Sequence, residues 1–84
     1  MNRKILVEIV IPAAGQKFDV RIPWDSRMGE VTALTATALS ELSDGKFRAD
    51  TGTVLCDAET GQIYDINMTV AEHEIRIGAR LMLI

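Results

Sequence analysis

With one cysteine, Cys56, this chain cannot close an internal disulfide, and a reducing cytosol is its simplest compartment. No run approaches the ~20 consecutive apolar residues that cross a bilayer, which excludes direct membrane insertion by a helix. No basic stripe is present either. Nine Lys and Arg stand against twelve Asp and Glu, for a net charge of −3, and this argues against nucleic acid as a partner. There is no P-loop, no dinucleotide fingerprint and no zinc spacing, so no cofactor or metal is expected. The start, Met1-Asn-Arg-Lys4 followed by Ile5 to Ile11 and Pro12-Ala-Ala-Gly15, has the basic and apolar order of a signal peptide. Glu8 interrupts the apolar run, and the reading adopted is of a retained, cytoplasmic segment.

What is present is periodicity. Lys4 to Ile11 alternates, with Ile5, Val7, Ile9 and Ile11 on one face and Lys4, Leu6, Glu8 and Val10 on the other. That is a β-strand with one apolar side. Pro12 ends it, Gly15 serves a short connection, and Lys17 to Ile22 alternates again with Phe18, Val20 and Ile22 inward. Two such strands predict a hairpin. After Pro23 the period changes. From Met28 to about Leu42 the residues Met28, Val31, Leu34, Thr35, Ala38, Leu39 and Leu42 share one side at helical spacing. Asp25 and Ser26 are candidate caps and Ser43-Asp-Gly45 is the stop signal. Gly29 and the threonines weaken this helix, so packing must hold it.

Lys46 to Thr53 reads as a polar loop. Thr53–Asp57 and Gln62–Asp65 read as a second, shorter hairpin around Ala58-Glu-Thr-Gly61. Ile66 to His73 reads as a connection with one helical turn. The last stretch, Ile75-Arg-Ile-Gly78-Ala-Arg-Leu-Met-Leu-Ile84, turns at Gly78 into a strand. Leu81 and Leu83 face one way, and Arg80, Met82 and Ile84 the other. Strands gathered around one helix predict an α+β domain spanning 1–84, with a sheet of four to five strands and the helix on one face.

This order resembles the β-grasp fold of ubiquitin. Thr69-Val-Ala-Glu72 leading through Ile75 into the final strand is similar to the end of ubiquitin, and Pro23-Trp-Asp-Ser-Arg-Met-Gly-Glu-Val31 to the segment that opens ubiquitin's helix. The spacing of Ile75, Gly78 and Leu81 resembles the terminal strand of the YukD/EsaB family, small ubiquitin-like proteins associated with type VII secretion. That resemblance implies a mixed sheet, with the last strand between the first and third, and a non-catalytic role binding proteins. Those partners would be the secretion system's ATPase or membrane channel subunits. Ubiquitin and the sulfur carriers present a Gly-Gly tail, whereas this sequence has no glycine after Gly78; conjugation is therefore not expected. A modifier of a bacterial conjugation-type or defence operon and an adaptor subunit of an enzyme complex are the alternative roles.

Binding residues are sought on the sheet face opposite the helix. In β-grasp order that face carries Leu6 and Val10 from the first strand, Met82 and Ile84 from the last, and Val54 or Cys56 from the third. Trp24, beside Pro23 at the rim, is a second candidate anchor, with a place as a lid on the core as the alternative. Against the docking reading stands the ordinary scatter of apolar residues on any surface. Cys56 and His73 are the residues that could do nucleophilic chemistry, and packing and turn bonding account for both. Asp57, Glu59 and Asp65 lack the ligand density of a calcium loop. Asn67-Met-Thr69 is a glycosylation pattern that matters only in a secreted chain.

Overall fold

The computed structural model describes residues 3–84; Met1 and Asn2, the first residues of the basic start, lie outside that range. The strand β1 (Lys4–Ile11) runs through a 3-10 turn, Pro12–Ala14, into the strand β2 (Gln16–Pro23). Gly15 closes this turn at φ 61° and returns its N–H to the Pro12 carbonyl at 3.1 Å, a backbone conformation that glycine adopts without a Cβ penalty. The helix α1 (Met28–Leu42) follows, then the strands β3 (Leu55–Asp57) and β4 (Arg80–Leu83).

The sheet order is β2-β1-β4-β3. β1 pairs antiparallel with β2 and parallel with β4, and β3 pairs antiparallel with β4. One helix on a mixed sheet, with the last strand in the middle, is the β-grasp arrangement. The expected fifth strand is reduced to a single bridge between Cys56 and Ile63.

Alternation sends Ile5, Val7, Ile9 and Ile11 of β1, Leu55 of β3, and Leu81 and Leu83 of β4 into one core with Met28, Val31 and Leu39 of α1. Phe47 joins them from the 46–53 loop, which its neighbours' polarity had disguised. Ser43, buried at the helix end, accepts the Phe47 N–H at 3.0 Å and donates to the Ser40 carbonyl at 3.1 Å, folding that loop back on the core.

The helix departs from expectation at two places. Its N-cap is Arg27, without a side-chain cap bond; Asp25 and Ser26 do not cap it. The carbonyls of Met68 and Ile66 accept the N–H groups of Met28 and Gly29 at 2.8 and 3.0 Å instead. A distant loop thus satisfies donors that a side chain usually takes. A Cβ on residue 29 would stand 3.2 Å from the Ile66 oxygen, so the close approach requires Gly29. The buried stripe is also rotated. Met28, Val31, Thr35, Ala36 and Leu39 are covered, while Leu34 and Leu42 are each 63% exposed and Ala38 is exposed too. The 28–31–35–39 line faces the middle of the sheet. The 34–38–42 line overhangs its β2 side, beyond which no strand lies among the described residues.

Candidate functional site

The face of the sheet away from α1 is open, and the register fixes what lies on it, because directly paired residues share a face. Lys17 pairs with Val10, Val10 with Met82, Met82 with Cys56, and Cys56 with Ile63. These side chains form one row across the sheet. Beside its β3 end, Val54 and Ile84 exchange both backbone hydrogen bonds, at 2.8 and 3.0 Å. The result is an apolar band of Val10, Met82, Ile63, Val54 and Ile84. Ile63 is 58% and Ile84 50% exposed; Val10, Met82 and Val54 are half-buried.

Cys56 needs correction as a surface residue. It stands on the open-face side of β3, opposite Met82, yet its exposure is 0%. The Ile63 segment, bridged to Cys56 through Tyr64 N–H to the Leu55 carbonyl (3.1 Å) and Asp57 N–H to the Gln62 carbonyl (2.9 Å), flanks it and shuts out water. Its thiol sits 3.5 Å from the Met82 carbonyl. Burial, and then the Asp57 carboxylate, push that thiol above its ordinary range, the wrong direction for a nucleophile. Cys56 is the floor of the band and not a contact.

Leu6 and Trp24 lie apart from the band. The next row of the face is Asp19, Glu8 and Arg80, with Arg80 Nε donating to Glu8 Oε1 at 3.0 Å. This charged row separates Leu6, paired with Arg21, from Val10 and Met82. Trp24 follows Pro23, seven residues along β2 from Lys17, or about 23 Å of strand. Its ring lies under the Arg3 guanidinium, 5.1 Å from centroid to Cζ. Its N–H donates to the Arg3 carbonyl at 2.7 Å and its carbonyl accepts from Ala71 at 2.9 Å. Of the seven residues expected at the site, four form the band, one underlies it, and two are remote. Ile63 was missing from that set. Its signal is the alternation in Gln62-Ile-Tyr64, which turns Tyr64 toward the core and Ile63 outward.

The remaining polar groups serve turns. Asp57 Oδ1 accepts the Glu59 N–H at 2.7 Å. Thr69 and Glu72 form a reciprocal pair, Glu72 N–H to Thr69 Oγ1 at 3.0 Å and Thr69 N–H to Glu72 Oε1 at 2.9 Å, the capping-box pattern. Hydrogen bonding to the Thr69 backbone N–H, and then to the Thr69 side chain, holds the Glu72 carboxyl below its ordinary range. His73 Nε2 lies 3.0 Å from the Asp65 carbonyl, and its ring meets Tyr64 edge-on at 4.9 Å. Burial, then the Asp57 charge, push the Tyr64 hydroxyl up to about 12. Among the described residues His73 and Cys56 make no hydrogen bond to each other, so this pair does not form an activated nucleophile.

No family model and no curated protein matches the sequence. Solved structures do match the fold. The chain is similar to the ubiquitin-like domain of the type VII secretion protein ECCD1 of Mycobacterium tuberculosis, with TM-score 0.79, 15% identity and 98% of each chain covered. It is similar to the EccD5 ubiquitin-like domain of Mycobacterium xenopi, with TM-score 0.71, 20% identity, and 98% of this chain and 93% of that one covered. A chain of a toluene 4-monooxygenase complex superposes with TM-score 0.80 at 12% identity, 96% of each chain being covered. At such identities the likeness establishes a ubiquitin-like fold.

Proposed function

We propose that this chain is a non-catalytic, ubiquitin-like protein-interaction module of a bacterial type VII secretion system, a cytosolic accessory or regulatory component docking through the open face of its sheet. The observation that carries the binding role is the band of Val10, Met82, Ile63, Val54 and Ile84, built on four segments and seated over a buried Cys56. Neighbouring strands hold these side chains rigidly, so little ordering opposes association. Met82 supplies an adaptable centre. The secretion assignment draws support from the terminal-strand resemblance to YukD/EsaB and from the likeness to the EccD domains. Partners are then the system's ATPase or membrane channel subunits.

The test is capture of those subunits by the intact domain, compared with Met82→Asp and with Lys46→Asp, an exposed site in the 46–53 loop outside the band. Capture lost with Met82→Asp alone supports the reading; capture that survives Met82→Asp sinks it. The superposition on a monooxygenase-complex chain favours a second reading, a subunit of an enzyme complex using the same face. Genes for a secretion ATPase beside this one favour the first reading, and genes for oxygenase subunits the second.

A further inference from the structure

We propose that the end of the sheet at which β1 and β4 begin and β2 finishes is a second docking surface, and that its occupant is an anionic lipid bilayer on which the domain rests reversibly. Leu6, Trp24 and Ile77 enter the headgroup layer there, among the cations Arg3, Lys4 and Arg21.

Topology gathers these residues. β1 runs antiparallel to β2 and parallel to β4. Leu6 near the start of β1, Trp24 just after β2 and Ile77 just before β4 therefore lie at one end of the sheet. Gly78 N–H donates to the Leu6 carbonyl at 2.8 Å, and Ala79 N–H to the Arg76 carbonyl at 3.0 Å closes a turn over residues 76–79. Gly78 takes a φ of 85° at the third place of that turn, a place that suits glycine. Ile77 is left at the tip, 76% exposed. Leu6 is 43% exposed on the adjoining strand. Trp24 N–H is bound to the Arg3 carbonyl, about 10 Å along β1 from Leu6.

The charges set among these anchors are positive. Arg21 pairs directly with Leu6, and Lys4 stands two places before Leu6 on the same face; both are exposed. The Arg3 guanidinium lies over the Trp24 ring. Among the described residues the ion pair is that of Glu8 with Arg80, so Arg3, Lys4 and Arg21 are not neutralised by a carboxylate in contact. Asp19 and Asp25 border this end, two places from Arg21 and one from Trp24. In a chain of net charge −3, three uncompensated cations around three apolar side chains complement an anionic surface.

The form of the anchors selects a lipid surface over an acidic protein. Isolated apolar residues on a surface are ordinary, but these three project separately from a strand, a rim and a turn tip. Neither the cleft beside Tyr64 nor the groove beside α1 is lined by any of them. Protein partners draw their affinity from well-packed pockets, whereas a headgroup layer needs no matching shape. It accepts a tryptophan with one wet edge and a basic side chain whose stem lies on apolar surface. Adsorption grows with the apolar area immersed and with attraction of the cations to anionic lipid. The Glu8–Arg80 pair then divides the lipid-facing end from the apolar band, which stays free for a protein.

The test mixes the full chain with phosphatidylcholine vesicles, with and without phosphatidylserine. It reads co-sedimentation and the emission of Trp24, the one tryptophan in the sequence. The expected result is co-sedimentation and a blue shift with the phosphatidylserine vesicles only, both falling as salt is raised. Leu6→Ser with Ile77→Ser, at exposed sites, lowers the partition coefficient about tenfold or more, and Ile77→Ser alone moves it the same way. The double variant Lys4→Glu with Arg21→Glu abolishes binding. Met82→Asp leaves it unchanged, so failure of the open-face reading does not touch this one. Equal binding to the uncharged vesicles, an unmoved Trp24 emission or indifference to the serine variants would each overturn the proposal. So would capture by soluble polyglutamate as tight as by vesicles, which would make the occupant an acidic protein.

Discussion

Glu8 and Arg80 meet across the parallel seam between β1 and β4, Arg80 Nε donating to Glu8 Oε1 at 3.0 Å, and this pair forms a fence between Leu6 and the apolar band. Its contribution to stability is small, because the Arg80 side chain is 58% exposed. Removing Arg80 (Arg80→Ala) is expected to change the unfolding free energy by no more than about 1 kcal/mol, read by urea denaturation. A larger loss would mean that the arginine stem packs on the sheet.

Leu81 and Met82 are neighbours on β4 with opposite fates, one at 0% exposure and the other half-open. Leu81→Asp places a charge in the core and should prevent cooperative folding. Met82→Asp should cost about 1 kcal/mol or less. Parallel thermal melts of the two variants check this, and similar losses would show that the two faces are not distinct.

Gly29 tests the helix start. Alanine in a helix normally gains ~1 kcal/mol over glycine. Here the new methyl meets the Ile66 oxygen at 3.2 Å, and that oxygen is held by the Gly29 N–H at 3.0 Å. The propensity gain should therefore be absent in Gly29→Ala. A variant with a raised Tm would show that the 66–68 loop yields easily.

Tyr64 gives a pH signature. Its hydroxyl ionises near 12 in the folded chain and near 10 when unfolded, so its neutral form is favoured by folding. That contribution is complete below about pH 10 and is lost as the pH climbs toward 12. Thermal stability should fall over that interval, and the fall should be shallower in Tyr64→Phe. Tyrosinate absorbance should rise only above pH 10 in the native protein.

Cys56 should be slow to alkylate in the folded chain, since burial both hides the thiol and disfavours the thiolate. Denaturant should speed its reaction with iodoacetamide to that of an ordinary thiol. Rapid native modification would place Cys56 back on the surface.

Much of this arrangement was legible from side-chain spacing alone. β1, β2, α1 and β4 emerged where expected because alternation and helical periodicity are local properties of the residues that show them. What escaped was set by distant partners. Asp25 and Ser26 looked like caps until the carbonyls of Ile66 and Met68 supplanted them. Leu34 and Leu42 looked like core, but the width of the sheet decides which stripe is covered. The exclusion of Cys56 from solvent depends on Ile63, and that bridge is a single pairing too short to show periodicity. The band itself could be anticipated from Val10, Val54, Met82 and Ile84, whereas its division from Leu6 needed the strand register.

The position of β4 between β1 and β3 also governs how the molecule comes into being. The β1–β2 hairpin and α1 leave the ribosome early, yet the slot that unites them with β3 stays vacant until residues 80–83 have been synthesised. Val7 and Ile9 then remain without Leu81 and Leu83 until those two residues have been added. Closure over so long a stretch of chain is slow compared with helix formation, and the waiting hairpin exposes an unpaired, strongly aliphatic edge along β1. The same topology that closes the finished sheet leaves its nascent form with an open aliphatic margin.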